Sequence, residues 1–260
     1  MNVLALETAT DLVGAAVVRD GSLAERSHLG GRAHAELLAP AIEEVCALSG
    51  CALGDLDALA VDIGPGLFTG LRVGVATAKA LGQALSLGVL GVSSLDVLAA
   101  AAYEAAPGAR SARVVAVVDA RRGEVFAAAY EAGVAGGGSD GPDPADVRTD
   151  REGALTPEDL VTWCDGLAVA GPVLVVGDGA VRYLELLAPR RGLDVGLVQT
   201  VAAPSPAVLA RLAVRRLAAG AVPLAAADVV PDYRRPADAR INWEERAPQR
   251  AAPPPAGGRP

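Results

Sequence analysis

Asp62-Ile63-Gly64-Pro65-Gly66-Leu67-Phe68-Thr69-Gly70-Leu71-Arg72-Val73-Gly74 reads as a strand that ends, a tight turn and a helix that begins. Leu59 to Ile63 has the short apolar run of a buried strand. Gly64-Pro65-Gly66 breaks it, and a helix is expected from Phe68 to Leu85. Such a turn presents free backbone N–H groups and the positive end of a helix dipole, so Gly64 and Gly66 are candidates for a weak phosphate loop. No Lys-Ser/Thr follows the last glycine, so this is not a Walker A loop, and a structural turn is the competing reading.

The helix after the turn carries Gly70, Gly74, Ala78 and Gly82, a smooth ridge of small residues one turn apart. Each interior glycine costs about 1 kcal/mol relative to alanine, so close packing must offset the loss. The ridge can meet the chain's own first helix or another subunit, and the sequence does not choose between them.

Working outward, Val3–Leu6, Val13–Arg19 and Leu23–Leu29 read as three strands, with Asp20-Gly21 as a hairpin turn. His34–Leu48 has helical spacing, with Leu37, Leu38, Ile42 and Val45 on one side. Val89–Val92 is a further strand, and Ser93-Ser94 opens a helix. This β-β-β-α-β-α-β-α order implies a mixed sheet over residues 1–108. A second section, 109–236, also begins with a hairpin, Val114–Val118 and Glu124–Tyr130, and continues through strand, Gly177-Asp178-Gly179 and helix. Pro206–Ala219 reads as its last helix. Residues 131–150 are expected to be a flexible Gly-rich insertion, and 237–260 a disordered Pro/Ala tail. The repeated order hints at two related lobes, though it is not a sequence repeat.

Composition narrows the function classes. Of 260 residues, 52% are hydrophobic but only 3% aromatic, so the core must be built from Ala, Val and Leu. The formal net charge is −8 and Lys79 is the only lysine, which makes the chain a poor nucleic-acid binder by itself. Neither a cationic leader nor an apolar run long enough for a membrane span is present, and a cytoplasmic protein is expected. Cys46, Cys51 and Cys164 form no CxxC pair and read as buried apolar residues.

Few residues suggest chemistry. His28 and His34 lack the i, i+4 spacing of a helical metal pair, so no metal site is expected. Glu7 and Asp11 can face a nucleotide or simply be solvated. Arg121 and Arg122, at a hairpin tip, can contact RNA or simply keep the turn soluble. No Ser-His-Asp or Cys-His arrangement is visible.

Gly64 to Gly74, Gly91-Val92-Ser93-Ser94-Leu95 and Asp119-Ala120-Arg121-Arg122-Gly123-Glu124-Val125 together resemble the TsaB family, the dimerisation subunit of bacterial tRNA threonylcarbamoyladenosine synthesis. Leu4–Thr10, Arg32–Pro40, Gly177–Ala180 and Pro231–Arg234 add to the likeness. Glu7 stands where many relatives have Asp, and Leu67 where Ser is usual. The resemblance implies an α/β fold of two actin-like, sugar-kinase-like (ASKHA) lobes with mixed sheets flanked by helices. It implies a non-catalytic scaffold that pairs with a catalytic paralogue of the TsaD type and works with the small ATPase subunit of the same complex. tRNA is then met only through the complex, and a homodimer is an open option for the chain in the absence of the partner. No cofactor is required, beyond a weak or interfacial ATP or ADP. In the TsaD type a Gly-Val-Asn-His-Met-Glu-Gly-His motif binds metal. The matching place here is Gly91-Val92-Ser93-Ser94-Leu95-Asp96-Val97-Leu98, with Ser94 and Leu98 where histidines would be. Leucine cannot bind a metal, and serine is a poor ligand for iron or zinc. The candidate partner interface is His34, Leu37, Leu38, Phe68, Thr69, Gly70, Leu71, Gly74 and Ala78. The alternative is an autonomous ATP-dependent metallo-transferase or kinase of the same fold.

Overall fold

The computed structural model describes residues 1–31, 33–105, 112–131, 143–150 and 153–234. Alternation within strands sets its layers. In β1 (Val3–Glu7), Leu4 and Leu6 enter one apolar cluster while Val3 and Ala5 enter another on the opposite face. β2 (Leu12–Arg19) and β3 (Ser22–Leu29) extend β1 antiparallel, and β4 (Ala58–Gly64) and β5 (Val89–Ser93) run parallel to it. The order is β3-β2-β1-β4-β5.

The second sheet repeats this plan around β6 (Arg113–Arg121). β7 (Glu124–Tyr130) and β8 (Arg148–Asp150) continue antiparallel on one side; β9 (Val173–Val176) and β10 (Leu193–Asp194) lie parallel on the other. Its order, β10-β9-β6-β7-β8, is that of the first sheet with each strand replaced by its counterpart. The chain therefore has the two-lobed actin-like, sugar-kinase-like fold of mixed sheets flanked by helices. Gly64, the last residue of β4, and Gly177, just past β9, have φ of +106° and +105°, values that favour glycine.

α1 (His34–Ser49) and α2 (Phe68–Leu85) cover one face of the first sheet. α3 (Ser94–Ala105) lies between the sheets. Val97 and Ala100 pack on the first, whereas Leu95, Leu98, Ala99, Ala102 and Tyr103 pack on the second. That double contact is why a helix apolar all round is stable here. Its buried Asp96 is matched on every side. Oδ1 accepts from Tyr130 Oη (2.9 Å) and Arg148 Nη1 (2.8 Å), and Oδ2 accepts from Arg216 Nη2 (2.8 Å). α4 (Pro157–Ala168), α5 (Asp178–Arg182) and α6 (Leu184–Leu187) form the far side of the second lobe.

Two expectations need correction. The second lobe does not run to residue 236. α7 (Pro206–Ala218) returns to the first sheet, where Val208, Leu209, Leu212 and Ala213 cover Val3, Ala5, Ala16 and Ala60. That sheet face would otherwise be exposed. The chain beyond α7 stays on the first lobe, with Leu224 bridged to Val89 and Val229 buried among the first lobe's apolar residues. The supposed flexible insertion also contributes structure: Pro144–Val147 is a 3-10 turn and β8 is an edge strand. The rest of that insertion's centre, 132–142, and the tail from 237 lie outside the described residues.

Candidate functional site

The turn after β1, the start of α1 and the glycine loop before α2 converge at one end of the first sheet. Leu67 N–H donates to Ala9 O (2.7 Å), and Thr8 Oγ1 donates to Gly70 O (2.8 Å). His34, at the start of α1, holds Thr10 O through Nε2 (2.7 Å). A Cβ at Gly66 would overlap Ala9 O, one at Gly70 would overlap Thr8 O, and one at Gly74 would overlap Thr8 Oγ1. At Gly82 it would lie 2.8 Å from Ala226 Cβ. The glycine ridge is thus filled by this chain's own β1–β2 turn and C-terminal segment.

That settles where the nine candidate interface residues lie. His34, Leu38, Gly70, Leu71, Gly74 and Ala78 are buried inside the monomer, which corrects their assignment to a partner surface. Phe68 and Thr69 are exposed, and Leu37 is half-buried. The ridge of α2 that does reach solvent is two positions away: Arg72, Ala76, Ala80 and Ala84. On the neighbouring α1, Ala35, Ala39, Glu43 and Ala47 are exposed. Spacing alone gives two small-residue stripes on α2, and only packing shows which one is free.

Of the proposed phosphate-loop groups, the Gly64 N–H donates to Asp62 Oδ1 (2.7 Å), and the Leu67 N–H beside Gly66 is spent on Ala9 O. Beneath the loop lies a feature that sequence reading missed. Glu7 and Asp62, on the paired strands β1 and β4, are both fully buried, near enough for the charge of one to act on the other. Glu7 Oε1 accepts from Ala9 N–H (2.8 Å), and Asp62 Oδ1 accepts from Ser94 Oγ (2.6 Å). Glu7 Oε2 and Asp62 Oδ2 are buried with no hydrogen-bond partner among the described residues, an arrangement that favours the protonated carboxyl over two buried charges. Burial first, and the Asp62 charge second, hold the Glu7 carboxyl well above the usual carboxylate range. Burial pushes Asp62 up to about 6.

Ser94, at the first metal-motif position, is thus committed to Asp62. Leu98, at the second, is buried in the apolar cluster between α3 and the second sheet. Among the described residues no group of three or more His, Cys, Asp and Glu could hold a metal ion. Burial raises all three thiols, Cys164 to about 12, which leaves them poor nucleophiles.

Across the cleft, the β6–β7 turn answers the β1–β2 turn. Arg121 Nη2 donates to both Asp11 carboxylate oxygens (3.0 Å each), joining the lobes. Its Nη1 and Arg182 Nη1 both reach Asp119 Oδ2 (3.0 Å each). Asp178 Oδ1 accepts from Asp119 N–H (2.9 Å), and burial pushes its carboxyl up to about 6. Arg121 is therefore an interlobe residue, a role that its hairpin-tip position did not reveal. The signal lay in the repeat, since Asp11 and Arg121 sit in corresponding first turns of the two lobes.

With this geometry in place, similarity to known proteins becomes informative. The family model described as TsaD: tRNA N6-adenosine threonylcarbamoyltransferase matches residues 26–139. The Escherichia coli tRNA threonylcarbamoyladenosine biosynthesis protein TsaB is 38% identical over 131 residues, 50% of this chain and 55% of that protein. The match thus spans about half the length of that curated relative. The Mycobacterium tuberculosis protein Rv3421c is 38% identical over 223 residues, covering 82% of this chain and 92% of that one. A crystal structure from Pseudomonas aeruginosa, described as similar to peptidase YEAZ, superposes with a TM-score of 0.73 at 31% identity, covering 90% of this chain and 99% of the other. The chain belongs to the TsaB family. Within that frame, the transferase-type match over 26–139 includes the glycine loop, Ser94 and Leu98. No helix among the described residues is long and apolar enough to cross a membrane.

Proposed function

We propose that this chain takes part in tRNA threonylcarbamoyladenosine biosynthesis as a non-catalytic subunit. It pairs with a catalytic paralogue of the TsaD type through the exposed faces of α1 and α2. The observation that carries this reading is the fate of the two metal-motif positions. Ser94 Oγ is tied to Asp62, and Leu98 is apolar and buried, within a segment otherwise similar to the transferase. A metal-dependent transfer cannot be centred on such a pair.

The small exposed residues Ala76, Ala80 and Ala84 on α2, beside Ala35, Ala39 and Ala47 on α1, let partner helices approach closer than the usual ~8–10 Å. The net charge of −8 fits a subunit that meets tRNA through its complex rather than alone. The small ATPase subunit is a further partner of the assembly, and the isolated chain forms a homodimer through the same face. No nucleotide is needed for the scaffold role, and the loop N–H groups of Gly64 and Leu67 are already engaged.

The test is co-purification of the unaltered chain with the transferase of the same organism, with elemental analysis and ATP turnover measured on the chain alone. A stable complex, with no stoichiometric iron or zinc and no turnover in the isolated chain, is expected. A chain that retains metal through chelation and turns over ATP by itself is instead an autonomous enzyme.

A further inference from the structure

The last described residues run back along α2 from its end to its start. Leu224 exchanges two backbone hydrogen bonds with Val89 (3.0 Å each), just beyond the helix. Lys79, the only lysine, donates from Nζ to Ala227 O (2.7 Å) and Val229 O (3.2 Å). Asp232 N–H donates to Ile63 O (2.7 Å), at the mouth of the glycine loop. The strap delivers Tyr233 beside Phe68, with ring centroids 5.1 Å apart at 42°. The Arg72 guanidinium lies 3.8 Å over the Phe68 ring, and its Nε donates to Tyr233 Oη (3.2 Å).

Both rings are 45% exposed. Among the described residues no carboxylate pairs with Arg72, although the chain has 31 acidic residues against 23 basic ones. Two rings already fixed by a guanidinium lose little freedom on binding. A cation without its own counter-charge favours an incoming carboxylate. The stack is continuous with the exposed Ala76–Ala80–Ala84 ridge, one turn along the same helix.

We propose that the Phe68–Arg72–Tyr233 stack anchors the subunit interface, that the partner protein places a carboxylate on Arg72, and that the strap locked by Lys79 holds Tyr233 in position. The inference rests on the pairing reading above and names where its binding strength is concentrated. The same stack has the chemistry to take a nucleobase and a phosphate. The excess of acidic charge favours a protein occupant over RNA.

The experiment titrates the full chain against the transferase of the same organism, and separately against tRNA, with thermal unfolding as the control for folding. Arg72→Glu and Tyr233→Ala are expected to weaken transferase binding roughly tenfold or more, with unfolding unchanged. Arg72→Gln tests the loss of charge without reversal. Lys79→Met is expected to weaken binding in the same direction, to speed hydrogen exchange at the Asp232 N–H, and to be rescued by Lys79→Arg. If the unaltered chain binds but Arg72→Glu and Arg72→Gln bind as well as it does, the anchor is overturned and pairing survives. Normal binding by Lys79→Met overturns the strap's part. An Arg72 effect on tRNA affinity alone overturns the protein occupant. Failure of the unaltered chain to bind the transferase overturns the pairing and this inference together.

Discussion

Glu7 and Asp62, on parallel paired strands, are buried together beneath the glycine loop, and burial raises both carboxyls above the usual carboxylate range. The folded chain keeps carboxyl protons that the unfolded chain releases at the ordinary carboxylate pH. Folding is therefore linked to pH in the sense opposite to that of a salt-bridged carboxylate. Both favour the fold most at low pH, and the contribution is lost as pH rises, for Asp62 from the usual 3.8 to about 6 and for Glu7 from the usual 4.5 towards its raised value.

Glu7→Gln is expected to remove most of that dependence. The amide keeps an acceptor for Ala9 N–H and supplies a permanent donor to Asp62 Oδ2. Each carboxyl proton adds at most about 1.4 kcal/mol per pH unit to the wild-type slope. Urea unfolding across mildly acidic to mildly alkaline pH should show the variant flat and at least as stable as wild type at the alkaline end. Equal slopes in the two proteins would show that the buried Glu7 does not carry the dependence.

Gly74→Ala is expected to destabilise the chain, although alanine is the better helix former by about 1 kcal/mol. The new methyl would overlap Thr8 Oγ1, which donates to Gly70 O. Overpacking of this kind costs about 1–3 kcal/mol. A Gly74→Ala variant that unfolds at or above the wild-type midpoint would contradict the packing of the ridge within the monomer.

Ala80→Leu is the converse case. Its side chain points to solvent on the free ridge, so stability should change by no more than about 0.5 kcal/mol. Association through α2 should fail for lack of room. Sedimentation of the chain alone and pull-down of the transferase read the two effects apart. Undiminished association in the variant would move the interface to another face.

Arg121→Ala removes the one described ion pair between the first turns of the two lobes. Arg121 and Asp11 side chains are 43% and 54% exposed, so this bridge is worth at most about 1 kcal/mol and less in high salt. Arg182 still neutralises the buried Asp119. The larger expected effect is on shape, as a broader lobe-to-lobe distance distribution in a spin-label pair placed across the cleft. An unchanged distribution would mean that α3 packing alone fixes the lobes.

The local order of this chain was written in its sequence. α2 from Phe68 to Leu85 and β7 from Glu124 to Tyr130 follow from periodicity and breakers, because helix and strand periods are properties of neighbouring residues. The doubled hairpin-then-crossover plan was legible for the same reason, and the mismatch at Ser94 and Leu98 needed only residue identity. Contacts between residues far apart in the chain were not legible. Gly70–Gly74–Ala78 and Ala76–Ala80–Ala84 have the same spacing on one helix, and only the arrival of Thr8 decides that the first is core and the second surface. The sequence likewise placed Glu7 and Asp62 in separate elements and α7 in the second lobe. Strand pairing brings the two carboxyls together, and the uncovered Ala-rich face of the first sheet draws α7 back. Periodicity fixes which way a side chain points along its own element, but burial depends on which other surface remains to be covered, and that is a property of the whole fold.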